Sequence, residues 1–357
     1  MKRFISLFLL LGLLVGIVGC SKDQSESFVN KFKPITESLN QELEQIKSRE
    51  QFMGFLQKAD SIYTQMKAEA PENASAEATL MMAQMAANLR KFDEAAAQYN
   101  KAIRTDAENV PDSMYVEAAA ANLYVDSLDL AKEYFIKSLN SKGNDQLKSQ
   151  FAPYFIEDTF NKEGKEAALA FVEKIKDKLP NPESLNSIVS AINLVGAPAP
   201  ELQDIISKTN TRKTKLASYK GKVLVLDFWA TWCAPCRQSI PALIQLRNYL
   251  QNEQKQKDFE VIGVTKVYGT YSDGQQQIPN LEPKKEAEMI KGFVKNMNMD
   301  YPIVIASNNT NLENYFVRGI PTFYLIDKQG VVRDFMVGFS PSHGALLKEK
   351  VEKLLAE

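Results

Sequence analysis

Two cysteines, Cys233 and Cys236, stand two residues apart in the stretch Val223–Arg237, VLVLDFWATWCAPCR. The apolar run Val223–Leu226 that leads to them has the length and composition of a fully buried parallel strand. It ends in a short turn carrying Trp229 and Trp232, and the cysteines then open a predicted helix running to about Leu250. That helix rests on Ile240, Leu243, Ile244, Leu246 and Leu250, at mixed three- and four-residue steps. A thiol in the first turn of a helix meets unpaired backbone N–H groups and the positive end of the helix dipole, both of which stabilise its anion. The Cys233 thiol is therefore expected to ionise in the ~3.5–7.5 range of such motifs rather than near ~8.5, as a sulfur exposed to attack its targets. Cys236, one helical turn on, lies within reach to close a disulfide. This is thiol–disulfide redox chemistry, and it asks for no metal and no cofactor. The single histidine, His343, argues against a histidine-rich metal site or a Ser/His/Asp triad, and it reads as a surface residue in the first turn of the last helix.

A chain of 357 residues with 45% hydrophobic content has room for two ordinary domains around this chemistry. The formal net charge of −1, with no long single-sign run, gives no reason to expect nucleic acid as a partner. Lys2 and Arg3 precede the apolar run Phe4–Val18, too short for a usual transmembrane helix and suited to a signal-peptide core. The run ends Ile17-Val18-Gly19-Cys20, which resembles the bacterial lipoprotein cleavage box. That resemblance implies a signal peptide over 1–19, lipid attachment at Cys20, and an exported chain anchored to a membrane of the cell envelope and facing the periplasm. Ser21, where an aspartate would favour inner-membrane retention, leans to the outer membrane. Only Cys233 and Cys236 then remain as free thiols, and an exported chain that keeps one such pair uses it for exchange.

Residues 20–33 read as a polar tether, and 34–194 as an all-α domain, rich in alanine, glutamate and lysine. An internal repeat marks the helical half. Phe92-Asp-Glu-Ala95…Tyr99…Ile103 recurs as Leu128-Asp-Leu-Ala131…Phe135…Leu139, and again as Gly164-Lys-Glu-Ala167…Phe171…Ile175. The small, aromatic and aliphatic positions share one helix face, and the period is close to the ~34 residues of tetratricopeptide helix pairs. The alternative is an irregular bundle with coincidental spacing. Such an array suits a scaffold better than a catalyst, and Met81, Met82 and Met85 read as core filler.

Pro180 and Pro182 interrupt the helices, and Gly196-Ala-Pro-Ala-Pro200 gives an extended lead-in to a second domain, 195–357. Here strands and helices alternate. Phe259–Val264, Tyr301–Ile305, Phe323–Ile326 and Val331–Val337 read as strands, and Glu286–Met297 and Ser340–Leu355 as helices, the last with Ser340 and Pro341 at its start. This order predicts a mixed sheet flanked by helices.

DFWATWCAPC (Asp227–Cys236) and RGIPT (Arg318–Thr322) resemble two signatures of the thioredoxin family. The lead-in VGAPAPEL and the run LASYKGKVLVLDFWATWC are similar, more narrowly, to membrane-tethered disulfide reductases of the TlpA/ResA type. The resemblance implies an α/β thioredoxin-like fold over 195–357, with Cys233 as the attacking thiolate and Cys236 as the resolving one. It matches Pro321 to the family's cis-proline, which would turn the Ile320 backbone outward to pair with an extended substrate. Trp232 would cover one side of the Cys233–Cys236 disulfide, and Asp227 would be a buried carboxylate that helps deprotonate the second cysteine. Protein thiols and disulfides are the implied partners, together with an upstream membrane electron donor. Ser239 departs from those cytochrome-maturation members that carry glutamate at this position. The Gly/Gln/Pro-rich stretch 268–283 is a further departure, expected to lie on the Pro321 side and to limit access to Cys233, or else to be a passive surface loop.

Ala234 and Pro235 supply no histidine or cation to the dithiol, so the potential is expected nearer about −270 mV than the ~−120 mV of the strongest oxidant. This points to a disulfide reductase. Two other readings stand beside it: a peroxide-reducing, peroxiredoxin-like enzyme, because VGAPAPEL also fits such chains, and a non-catalytic binding protein acting through its helical repeats.

Overall fold

The computed structural model describes residues 24–357, so the signal peptide read over 1–19 and the lipid attachment read at Cys20 lie outside the described residues. These residues form two compact units, 24–185 and Asn186–Glu357.

The first unit is all helical: α1 (Gln24–Glu44), α2 (Arg49–Glu69), α3 (Ala76–Asn88), α4 (Phe92–Asp106), α5 (Met114–Tyr124), α6 (Leu128–Ser138), α7 (Asp145–Glu163) and α8 (Lys165–Ile175). Residues 24–33, read from sequence as part of a tether, are instead the start of α1. Their polar composition hides Phe28, Val29 and Phe32 on one face, all buried. Helices α3 and α4, α5 and α6, and α7 and α8 pack as successive pairs. The sequence repeat falls on the second helix of each pair, where Ala95 and Ala131 are fully buried one turn in, followed by buried Tyr99 and Phe135. In the third copy the small residue that seats in the core is Ala168, one place later than Ala167, because the helix starts after Gly164 and its first turn is set by the Ala168 N–H to Gly164 carbonyl bond. Met81, Met82 and Met85 are buried in α3, as read from sequence.

Two polar contacts sit inside this alanine-rich interior. Glu117 of α5 accepts from the Tyr99 hydroxyl at 2.7 Å, and burial pushes its carboxyl up to about 7. Asn100 of α4 and Asn122 of α5 exchange amide hydrogen bonds of 3.0 and 2.9 Å, and Asn122 also donates to the Ala118 carbonyl.

The second unit opens with α9 (Asn186–Leu194) and contains β1 (Ile205–Thr209), β2 (Val223–Phe228), α10 (Ala234–Asn248), β3 (Phe259–Lys266), β4 (Thr270–Ser272), β5 (Gln277–Pro279), α11 (Pro283–Asn296), β6 (Ile303–Ala306), α12 (Thr310–Asn314), β7 (Thr322–Ile326), β8 (Val332–Val337) and α13 (Pro341–Ala356). Six strands form a sheet in the order β1-β6-β3-β2-β7-β8, and its mixed parallel and antiparallel pairing agrees with the sequence reading. Strand β2 is buried along its whole length, parallel to β3 and antiparallel to β7. One row across the sheet is closely packed: Phe323, Asp227, Gly263 and Ile303 lie side by side on β7, β2, β3 and β6. A Cβ on Gly263 would fall 2.9 Å from Trp229 Nε1 and 3.4 Å from the Tyr301 ring, so only glycine passes between them.

Several features of this unit depart from the sequence reading, among them strand β1, which it did not anticipate. The stretch 268–283 contains a two-stranded hairpin, β4 with β5. Helix α11 starts at Pro283, earlier than Glu286, with proline filling a first-turn position that needs no N–H donor. His343 is buried rather than on the surface, its Nδ1 lying 3.3 Å from the Gly338 carbonyl oxygen.

Candidate active site

The dithiol sits where β2 hands over to α10. Cys233 is the N-cap residue of α10 and Cys236 lies in its first turn. The two sulfurs are bonded at 1.98 Å, with Cα atoms 5.2 Å apart. The Cys236 backbone N–H points at the Cys233 sulfur at 3.1 Å, the direction from which a thiolate on Cys233 would be held once the disulfide opens. The sulfur also lies 3.5 Å from the Ile320 carbonyl oxygen. Contrary to the sequence reading of an exposed sulfur, Cys233 is only 3% exposed, and Cys236 is fully buried. Its neighbour Trp232 is 44% exposed.

The Ile320–Pro321 peptide is cis, and its loop is held from both ends. The Thr322 hydroxyl donates to the Gly319 carbonyl at 2.6 Å, and the Gly338 N–H donates to the Pro321 carbonyl at 2.7 Å. Pro235 occupies the first turn of α10, where a missing N–H costs nothing. Ser239 is buried and donates to the Cys236 carbonyl at 2.8 Å.

Asp227 lies beneath this surface, fully buried on the sheet face that carries Cys236. Neither carboxylate oxygen has a hydrogen-bond partner, and burial alone pushes the carboxyl up to about 8. The Trp229 indole N–H and the Tyr301 hydroxyl are likewise buried without partners. A carboxyl in this setting holds a proton at neutral pH and can exchange it with a buried thiol.

Sequence reasoning missed the second flank of the site. Tyr268 stands edge-on to Trp232, ring centroids 5.4 Å apart at 85°. Arg237, directly after the dithiol, donates from Nη1 to the Thr231 carbonyl at 2.7 Å. Glu286 of α11 is buried and accepts from the backbone N–H groups of Tyr268 and Gly269, each at 2.7 Å. The signal for this in sequence was the set of apolar and aromatic residues Tyr268, Tyr271, Ile278 and Leu281 within a Gly/Gln/Pro-rich insert. The insert leaves from the end of β3, so it lies on the opposite flank of β2 from Pro321, not on the Pro321 side.

A disulfide at the head of a helix, fed by a central buried strand and faced by a cis-proline loop, defines the thioredoxin class of redox domain. The Redoxin family model matches residues 194–355. The chain is 31% identical over 144 residues to the thioredoxin-like protein YneN of Bacillus subtilis, covering 40% of this chain and 71% of that one. It is equally 31% identical over 144 residues to the thiol–disulfide oxidoreductase ResA of Geobacillus thermodenitrificans, covering 40% and 70%. A crystal structure of a thioredoxin-family thiol:disulfide interchange protein from Chlorobium tepidum is 24% identical, covers 44% of this chain and 95% of its own, and superposes with a TM-score of 0.33. The chain belongs to the TlpA/ResA-like family of thioredoxin-like proteins and is a thiol–disulfide oxidoreductase.

Proposed function

We propose that this protein is a lipid-anchored disulfide reductase of the cell envelope, tethered through Cys20 and working through the Cys-Ala-Pro-Cys dithiol. The observation that carries the reading is the Cys236 N–H aimed at the Cys233 sulfur, beside the Ile320 carbonyl. In the reduced protein the Cys233 thiolate attacks one sulfur of a substrate disulfide, and the other substrate sulfur leaves as a thiol. Cys236, its proton passed to Asp227 in the ionised form of that carboxyl, then attacks Cys233 and displaces the second substrate sulfur, which takes that proton and leaves as a thiol. Two electrons have moved from the dithiol to the substrate, and the Cys233–Cys236 disulfide remains. A substrate strand would be held by backbone bonds at Ile320, with Pro321 behind it and Trp232 beside it. A membrane electron donor would return the two electrons.

No helix among the described residues is long and apolar enough to cross a membrane. The test is a trapping experiment with an insulin-reduction control. Cys233→Ser is expected to abolish reduction, and Cys236→Ser to accumulate mixed disulfides on Cys233. A Cys233→Ser protein that reduces insulin as fast as the parent refutes the assignment, and an equilibrium potential above about −180 mV refutes the reducing direction.

A further inference from the structure

The β4–β5 hairpin is structure that the redox step does not itself require, yet it is bound to the dithiol segment at two points. The topology sets up the geometry. Strand β7 is antiparallel to β2, so its start, just after Ile320–Pro321, lies at the dithiol end of β2 on one flank. Strand β3 is parallel to β2, so its end and the residues after it lie at the same height on the other flank. Cys233, nearly buried, sits between them.

On the β3 flank the hairpin makes contact at its base and at its tip. At the base, the Tyr268 ring meets Trp232 edge-on. At the tip, Gly274 adopts φ +90°, and a Cβ there would stand 2.9 Å from Arg237 Nη2 and 3.4 Å from its Cζ. The guanidinium therefore lies against the bare backbone of the tip while its Nη1 holds the Thr231 carbonyl. The hairpin is also braced internally. Glu286 pins its base through two backbone N–H groups, and Asp273 pins its tip by accepting from the N–H groups of Gln275 and Gln276 at 2.9 and 3.0 Å and from the Tyr271 hydroxyl at 3.1 Å. A passive loop has no need of these fixtures.

We propose that the β4–β5 hairpin is the specificity element of this dithiol: it walls the Trp232 side of Cys233, so that a disulfide within a polypeptide reaches the sulfur only along the Ile320–Pro321 side. The inference rests on Cys233 being the attacking thiolate. Its substrate class is the protein disulfide in an extended, flexible segment, which can lie along one flank. A disulfide set in a broad surface meets the hairpin, whereas a small disulfide such as oxidised glutathione enters regardless.

The test compares two substrates in the full chain, with dithiothreitol regenerating the dithiol. Initial rates are measured on insulin and on oxidised glutathione for the parent, Tyr268→Ala, Tyr268→Phe and Gly274→Val. Tyr268→Ala and Gly274→Val are expected to raise the insulin-to-glutathione rate ratio severalfold, and Tyr268→Phe, which keeps the ring against Trp232, to leave it unchanged. A ratio that stays constant in Tyr268→Ala, whether both rates fall together or neither moves, overturns the proposal. Tyr268→Ala decides the matter even where Gly274→Val, forced into a left-handed conformation, does not fold. Failure of the underlying assignment shows separately, as a Cys233→Ser protein that still reduces either substrate.

Discussion

Replacing Asp227 by asparagine tests the electrostatics of the site directly. The carboxyl is fully buried, accepts no hydrogen bond, and is neighboured across the sheet by Phe323 and Gly263. Burial pushes it up to about 8, whereas in the unfolded chain it titrates near ~3.9. Between those values the folded protein holds one proton more than the unfolded chain, so stability falls as pH rises, by about 1.4 kcal/mol per pH unit. The cost is absent below about pH 4 and complete above about pH 8. From pH 5 to 7.5 the parent should therefore lose about 3 kcal/mol relative to Asp227→Asn. Asparagine brings its own cost, a buried amide without partners, but that cost does not vary with pH. The assay is urea unfolding of the oxidised protein, in which neither thiol titrates, followed by tryptophan emission. Both tryptophans, Trp229 and Trp232, belong to the redox unit, so the signal reports that unit alone. A stability difference between parent and variant that stays flat across this pH range refutes the reasoning.

Other perturbations test further parts of the same structure. Asp227→Asn should also slow closure of the Cys233–Cys236 disulfide from a trapped mixed disulfide, read by stopped-flow release of substrate thiol, while leaving the first attack by Cys233 nearly unchanged. Glu286→Ala removes two charge-assisted hydrogen bonds at the hairpin base, each worth about 1.5–3 kcal/mol, and should speed hydrogen exchange at the Tyr268 and Gly269 amides. Ala131→Leu forces a larger side chain into a fully buried site between helices and should destabilise the helical unit by about 1–3 kcal/mol, measured by far-ultraviolet circular dichroism. Glu117→Gln should flatten the pH dependence of that unit near neutrality, since burial has pushed the parent carboxyl up to about 7 and its ionisation there weakens the fold.

The redox half was legible in sequence because its determinants are local. A run of apolar residues, two tryptophans and a helix-opening cysteine pair specify β2 and α10 without reference to the rest of the chain. What escaped depends on distant partners. Strand β1 has an alternating burial pattern over only five residues, and its place at the sheet edge comes from pairing with β6, far along the chain. The hairpin escaped because both its strands are only three residues long and β5 is largely solvent-facing, and the residues that hold it, Glu286 and Arg237, come from helices α11 and α10. His343 is buried where the first turn of α13 folds back on the Gly338 corner, a turn geometry that the polar residues around it do not mark in sequence. In the helical half the repeat found the right helices but slipped by one residue in the third, because Gly164 moved the helix start and composition alone does not mark that shift.

The reciprocal amide pair of Asn100 and Asn122 has a consequence for the helical array as a whole. Alanine surfaces are smooth, and a helix lying on one could slide by a turn with little change in apolar contact. Here a slide of α4 along α5 would strand two carboxamides in a dry interior, at a cost of about 1–3 kcal/mol for each unpaired group. The pair acts as an indexing pin that leaves the two helices a single permitted alignment. Together with the Tyr99–Glu117 bond across the same two helices, it fixes whatever curvature the stacked helices carry at this seam.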